Sequence, residues 1–218
     1  MLRKTYDSLL TVFYPQNCEV CKNSVEQSAN GVVCERCWQK TLIFAKDENL
    51  CFKCGRFLNE KRSGVKIDCQ QCSEHFYENA RATGLYQKGL AASVLNLKRE
   101  PRICSRARDL FIETCRDAIF EDVSLIVPVP LSKKRLLERG FNQAETLAEL
   151  AAKHFKVNTD SVSLTRTKHA KVHRAGMDKK GRDLSVEKSF EVKRAKKIAG
   201  ERILLIDDVL TSGATVSS

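Results

Sequence analysis

No stretch of this 218-residue sequence is apolar for long enough to span a bilayer, which takes roughly 20 apolar residues as a helix. The N-terminus, MLRKTYDSLLTVFYP, also lacks the long apolar run and small-residue cleavage site of an export signal. The two absences predict a cytoplasmic protein with no membrane span, and a reducing cytoplasm disfavours disulfides. Acid is in short supply: 27 Asp and Glu face 38 Lys and Arg, a formal net charge of +11. That surplus suits an anionic partner, polyphosphate or nucleic acid, although a generally basic soluble surface has the same total. Hydrophobic residues make up 42% of the chain, enough for a globular core. The length accommodates one ordinary domain and a small one.

Cysteine is abundant and confined. Eight of the 10 cysteines form four CxxC pairs, Cys18/Cys21, Cys34/Cys37, Cys51/Cys54 and Cys69/Cys72, with gaps of 12, 13 and 14 residues. A CxxC turn puts two thiolates on one side of a knuckle, and two knuckles complete a tetrahedron around zinc. Four regular pairs exceed what a redox dithiol needs. The segments 18–37 and 51–72 read as two copies of a knuckle–hairpin–knuckle unit, which pairs the ligands in chain order, one zinc per copy. A cross-braced pairing satisfies the same spacing. With all eight sulfurs engaged, neither ion keeps a position for water, so both are expected to be structural. The predicted domain, residues 1–78, has little core of its own, and metal would supply much of its folding energy. Trp38, Leu42 and Phe44 are expected to pack one ribbon on a neighbour.

Residues 79–218 read as an α/β domain. Expected strands cover 81–86, 125–129, 163–166, 190–192 and 203–206; expected helices cover 90–97, 105–120 and 143–155. Cys104 and Cys115 lack a CxxC partner and read as buried small hydrophobes. After strand 125–129 comes a loop dense in cations, with Lys133, Lys134, Arg135 and Arg139 ahead of a turn at Gly140. Its place beyond the carboxyl end of a strand is where a ligand sits in an open α/β sheet. A long polar segment, TKHAKVHRAGMDKKGRDLSVEKS, separates the next two strands; loops of that length are functional or disordered. Its His169 and His173 stand at i, i+4, but no third metal ligand accompanies them. Lys171, Arg174, Lys179 and Arg182 make the segment cationic.

The chain ends RILLIDDVLTSGATVSS. An apolar run at 203–206 has the look of a strand buried on both faces of a parallel sheet. Asp207 and Asp208 follow, then the small-residue loop Thr211, Ser212, Gly213, Ala214 and Thr215. Ionised carboxylates only accept hydrogen bonds and so suit vicinal hydroxyls. Small side chains let backbone N–H groups approach a phosphate. The whole pattern describes a sugar-phosphate site, and it closely resembles the phosphoribosyl-pyrophosphate (PRPP) signature of type I phosphoribosyltransferases. That resemblance implies that the acids contact ribose hydroxyls, the loop cradles the 5′-phosphate, and magnesium accompanies PRPP.

The run VPVPLSKKRLLERGFNQAETLA is very close to the hallmark of the competence protein F (ComF) family. With the cysteine pairs, the NLKRE segment and the PRPP-like motif, the resemblance covers nearly the whole chain. It implies a double zinc ribbon ahead of a type I phosphoribosyltransferase-like parallel sheet with helices on both faces. Residues 127–142 then take the place of the pyrophosphate-binding loop, with Lys133, Lys134, Arg135, Arg139 and Lys98 as candidate pyrophosphate or phosphate contacts. His173 departs from the Gln common near that position. The superfamily core carries another helix and strand after the phosphate loop, and both are expected to be missing from a chain that stops at Ser218.

The family resemblance implies a PRPP-binding protein that handles incoming single-stranded DNA in natural transformation. Two other readings compete: a genuine phosphoribosyltransferase of nucleotide metabolism, and a PRPP-sensing adaptor that binds a protein partner through its ribbons. No base-recognition pocket or catalytic residue is apparent in the sequence.

Overall fold

The computed structural model describes residues 16–44, 50–56, 58, 69, 72, 76–117, 122–167 and 189–210. They fall into two compact units. The first combines residues 1–46 with 82–117, and the second combines 47–81 with 118–218. Each ribbon therefore belongs to a different unit.

In the first unit a bridge joins Asn17 to Ser24, and the Cys18 N–H donates to the Asn23 carbonyl at 2.7 Å. Cys34 then caps a short helix, α1 (Glu35–Gln39). Two further helices, α2 (Lys88–Leu97) and α3 (Ser105–Asp117), follow. One apolar cluster joins all of them: Cys18, Val25, Val33, Cys34, Cys37 and Trp38 from the ribbon, with Ala92 and Ala107 from α2 and α3. Trp38 is buried, and its Nε1 donates to the Asn30 carbonyl at 3.0 Å. Arg106 of α3 lies over the indole, 5.2 Å from its centroid, and pairs with Glu35 at 2.6 Å. Trp38 thus packs on the helices of its own unit, because Gly89 lets α2 approach the ring closely. Leu42 remains partly exposed.

The expected strand at 81–86 is reduced to a single bridge between Ile43 and Gly84. A Cβ on Gly84 would stand 2.2 Å from the Leu42 carbonyl oxygen. The approach is too close for a side chain there, and α2 begins four residues later.

The second unit is built on a parallel sheet in the order β2 (Asn158–Thr159), β1 (Leu125–Pro128), β5 (Ile203–Ile206). Leu125 to Pro128 pair in register with Ile203 to Ile206. All of β1 is buried, as its unbroken apolar run requires. Helix α5 (Gln143–Phe155) follows the shorter helix α4 (Lys133–Arg139) and packs on β1, β2 and β5. Its buried face is Ala144, Leu147, Ala148 and Ala151, the i, i+3, i+4, i+7 set of an amphipathic helix. A separate antiparallel pair joins β3 (Leu164–Arg166) to β4 (Phe190–Val192), and a single helical turn, α6 (Ala195–Ile198), leads into β5. Among the described residues no helix is long and apolar enough to cross a membrane.

A buried carboxylate ties these parts together. The Asp160 N–H donates to the Ile126 carbonyl at 2.9 Å. Its Oδ1 accepts from the backbone N–H groups of Val162 and Ser163, and its Oδ2 from the Ser163 hydroxyl. Lys197 of α6 reaches the same Oδ2 at 2.9 Å. Burial pushes the Asp160 carboxyl up, but the Ser163 N–H, Lys197 and the Val162 N–H outweigh it and hold the group well below the usual carboxylate range. A depressed native pKa contributes stability that is full above the unfolded value of about 3.9 and is lost only as pH falls through the lower native value.

Gly89→Ala puts a Cβ 2.8 Å from Trp38 Cε3 and from Thr41 Oγ1, which should cost about 1–3 kcal/mol despite the better helix propensity of Ala. Trp38 is the single tryptophan, so its fluorescence during thermal unfolding reads the loss; a variant melting at or above the parent temperature would contradict the packing. Asp160→Ala strips an ionised acceptor from buried donors and should cost about 3 kcal/mol in urea denaturation. That gap should be the same at about pH 6 and pH 8, since the carboxylate is fully ionised throughout.

Candidate metal centres and ligand site

The cysteines assemble in chain order. In each of the sets Cys18, Cys21, Cys34, Cys37 and Cys51, Cys54, Cys69, Cys72, the four sulfurs all lie within 4.8 Å of one another. Cross-braced pairing is excluded. Sγ separations are 3.6 Å for Cys21–Cys34, 3.6 Å for Cys51–Cys72, 3.7 Å for Cys54–Cys69 and 3.2 Å for Cys69–Cys72. A tetrahedron with zinc–sulfur bonds of about 2.3 Å has edges of about 3.8 Å, so these contacts all fall at or below that spacing. Backbone N–H groups support the sulfurs, with Cys34 N donating to Cys18 Sγ at 3.3 Å and Cys69 N to Cys51 Sγ at 3.2 Å.

Electrostatics within each set point the same way. Burial pushes the Cys18 thiol up, yet N–H bonds from Cys34, Cys21 and Val20 prevail and bring it to about 6. Cys51 comes to about 7 by the same balance, with N–H groups of Cys54 and Cys69 against burial. Cys37 is pushed up to about 12, first by burial and then by hydrogen bonds among the sulfurs. A thiolate is thus favoured at Cys18 and at Cys51, while burial makes Cys34, Cys37, Cys54 and Cys72 resist ionisation. A soft divalent cation relieves that conflict, and four thiolates close the tetrahedron, as in structural rather than catalytic sites. The chain carries two structural zinc sites, each built from four cysteines.

The second ribbon is joined to its own unit by polar contacts. Arg81 donates to the Phe52 carbonyl at 2.7 Å and lies over the Phe52 ring. Arg202, just before β5, pairs with Glu78 and Asp122.

At the carboxyl edge of the sheet, Asp207 and Asp208 leave β5 beside the exit of β1. The Val129 N–H still donates to the Ile206 carbonyl at 2.8 Å, and the Asp208 N–H turns back to Asp207 Oδ1 at 2.8 Å. The chain reaches β2 from β1 through α5 on one side, while β5 lies on the other side of β1. Between β1 and β5 the strand order therefore reverses, the place where open α/β sheets form a ligand crevice.

The cationic segment beyond β1 is a helix, not the expected loop. The Ser132 hydroxyl accepts from the Arg135 N–H at α4's start, and Gly140, with φ of 79°, ends it. KKRLLER between those two caps consists of good helix formers. No residue of α4 is buried; Lys134 pairs with Glu138, and Arg139 donates to Gln143 Oε1 at 2.8 Å. The RGFNQA element is structural at its centre. Asn142 caps α5 by accepting from the Ala144 N–H and donates its Nδ2 to the Val129 carbonyl, fixing the exit of β1. A polar residue opening an amphipathic helix was the available sequence signal for this role.

Other expected contacts are distributed differently. Lys98 caps the end of α2 in the first unit, whereas Asp207, Asp208 and α4 belong to the second. Thr211, Ser212, Gly213, Ala214 and Thr215 lie outside the described residues, as do His169, Lys171, His173, Arg174, Lys179 and Arg182. Asp160 escaped the sequence reading because nothing near it in the chain marks it as buried.

A double zinc ribbon and a parallel α/β unit define the class of protein. The family model described as double zinc ribbon domain matches residues 9–73. The chain is similar to competence protein ComFC of Bacillus subtilis, 24% identical over 91% of this chain and 85% of the relative. It is similar to competence protein F of Haemophilus influenzae, 25% identical over 94% and 89%. With DNA utilization protein YhgH of Escherichia coli K12 it shares 26% identity over 96% and 90%. No solved structure matches the chain. The ribbons, the sheet and these near-full-length relatives support the resemblance to the ComF family.

Cys34→Ser should lower the zinc content from two ions per chain to one. Because Cys34 lies in the cluster that holds Ala92 and Ala107, it should also release helix from the first unit. Elemental analysis and circular dichroism check both. Cys51→Ser should remove the other ion while leaving Trp38 fluorescence unchanged, and equal effects of the two substitutions on Trp38 would contradict the division into units.

Proposed function

We propose that this chain binds PRPP or a related sugar phosphate at the carboxyl edge of its sheet and handles incoming single-stranded DNA during natural transformation. The observation that carries the first half is the position of Asp207 and Asp208, emerging from β5 next to β1 where the strand order reverses. Adjacent carboxylates there accept hydrogen bonds from a ribose diol. Cations on α4, leaving the same edge through β1, supply charge for a pyrophosphate, with magnesium arriving on the ligand. The small-residue segment 211–215 would hold the 5′-phosphate.

The second half draws on relatives named for competence and DNA utilization and on the net charge of +11. Charge of that size favours a polyanion through counterion release. In this reading the two zinc ribbons hold the fold and take no part in chemistry.

Calorimetry with PRPP tests the site. Asp207→Ala with Asp208→Ala should abolish measurable binding, since each charge-assisted hydrogen bond lost costs about 1.5–3 kcal/mol. Zinc content should stay unchanged. Equal affinity in the double variant would refute the assignment, and turnover of PRPP with a panel of bases would move the protein to the enzyme reading.

A further inference from the structure

Residues 191–197, running from β4 into α6, are all exposed. Four of them are cations: Lys193, Arg194, Lys196 and Lys197. Lys197 is committed to the buried Asp160. Among the described residues, Lys193, Arg194 and Lys196 take part in no ion pair. On α4, by contrast, Lys134 and Arg139 already have partners.

The backbone under these three cations is pinned. The Lys193 N–H donates to the buried Ser163 carbonyl at 2.8 Å, and the Lys197 N–H to the Arg194 carbonyl at 2.9 Å. Ser163 in turn is fixed by Asp160, which also holds Lys197. Like charges are therefore kept close together on a fixed turn, where Glu191 is the one acid of the stretch and, among the described residues, forms no ion pair with them. A row of phosphates offsets them, and each contact releases condensed counterions.

The turn's place in the chain separates it from the sugar-phosphate end. It leads into the amino end of β5, whereas Asp207 and Asp208 leave the carboxyl end, with a four-residue strand between. We infer that Lys193, Arg194 and Lys196 form a contact surface for the phosphate backbone of single-stranded DNA, distinct from the carboxyl-edge site. This rests on the reading that the chain handles single-stranded DNA. It assigns the α4 cations to the sugar phosphate and the α6 turn to the polymer. Residues 191–197 carry no aromatic ring on which a base could stack, so binding there is expected to follow the phosphates and to be independent of sequence.

The test measures binding of a labelled, mixed-sequence single-stranded oligonucleotide to the full zinc-loaded chain across a salt series. Lys193→Ala/Arg194→Ala/Lys196→Ala is compared with Lys134→Ala/Arg135→Ala and the unaltered chain. Each lost contact should flatten the slope of log K against log salt by about 0.7, so the triple variant should be shallower by about 2. Between about 50 and 200 mM salt its affinity should fall roughly 18-fold less than that of the unaltered chain. PRPP affinity, zinc content and the Trp38 melting curve should not change, because the three side chains are exposed. A steep slope in the unaltered chain that the triple variant leaves intact would overturn this inference alone; flattening by the α4 variant instead would move the DNA contacts to α4. Loss of PRPP affinity in the triple variant would overturn it too, by giving these cations to the sugar phosphate. A slope near zero in the unaltered chain would remove the DNA reading along with it.

Discussion

The sulfurs of Cys18, Cys34 and Cys37 occupy the place that aliphatic side chains fill in a larger domain. Cys18, Cys34 and Cys37 are among the buried residues of the first unit's apolar cluster, alongside Val25, Val33 and Trp38. Four thiolates within 4.8 Å of one another repel unless a cation neutralises them. Once it does, two knuckles separated by a dozen residues become one rigid point. Trp38 is then fixed against Gly89, and α2 and α3 gain a surface on which to bury Ala92 and Ala107. Without the cation the segment has too little apolar area to offset the entropy of ordering it.

The second unit solves the same problem by ordinary means. Backbone pairing between β1 and β5 and the small-residue face of α5 bury a continuous apolar strand. Asn142 and Asp160 then fix what leaves the sheet: one holds the exit of β1, the other the descent from β2 into the β3–β4 pair. These two residues place the surfaces to which function is ascribed through hydrogen bonds within the chain.

Much of this was legible in the sequence, and the reasons differ by element. Helix α5 and strands β4 and β5 have the bounds expected, because helical spacing of Ala and Leu and a short apolar run mark such elements, but of β5, expected to be buried on both faces, only Ile206 is buried. The two sets of four cysteines were legible as sites, while their pairing needed coordinates, since spacing serves both arrangements. The segment 133–139 misled because its charge suggested a loop; local capping by Ser132 and Gly140 decided for a helix. Residues 81–86 misled because apolar, β-prone composition cannot reveal that Gly84 lies against another backbone. The partner of Trp38 was hidden for a related reason, a glycine about fifty residues away. The loop 211–215 falls outside the described residues, so its reading rests on the sequence.

The first unit is discontinuous: residues 82–117 complete a core begun before residue 46, and the second ribbon intervenes in the chain. During synthesis, therefore, the first four sulfurs emerge long before Ala92 and Ala107 arrive to cover them. Zinc captured early leaves the knuckles formed but their apolar face open until translation has passed α3. Meanwhile the second set of cysteines emerges as a competitor for the same ligands. Capture of an ion by the first two CxxC pairs before the third appears is then a kinetic safeguard, because it removes four thiols from the pool in which mispairing between ribbons could occur.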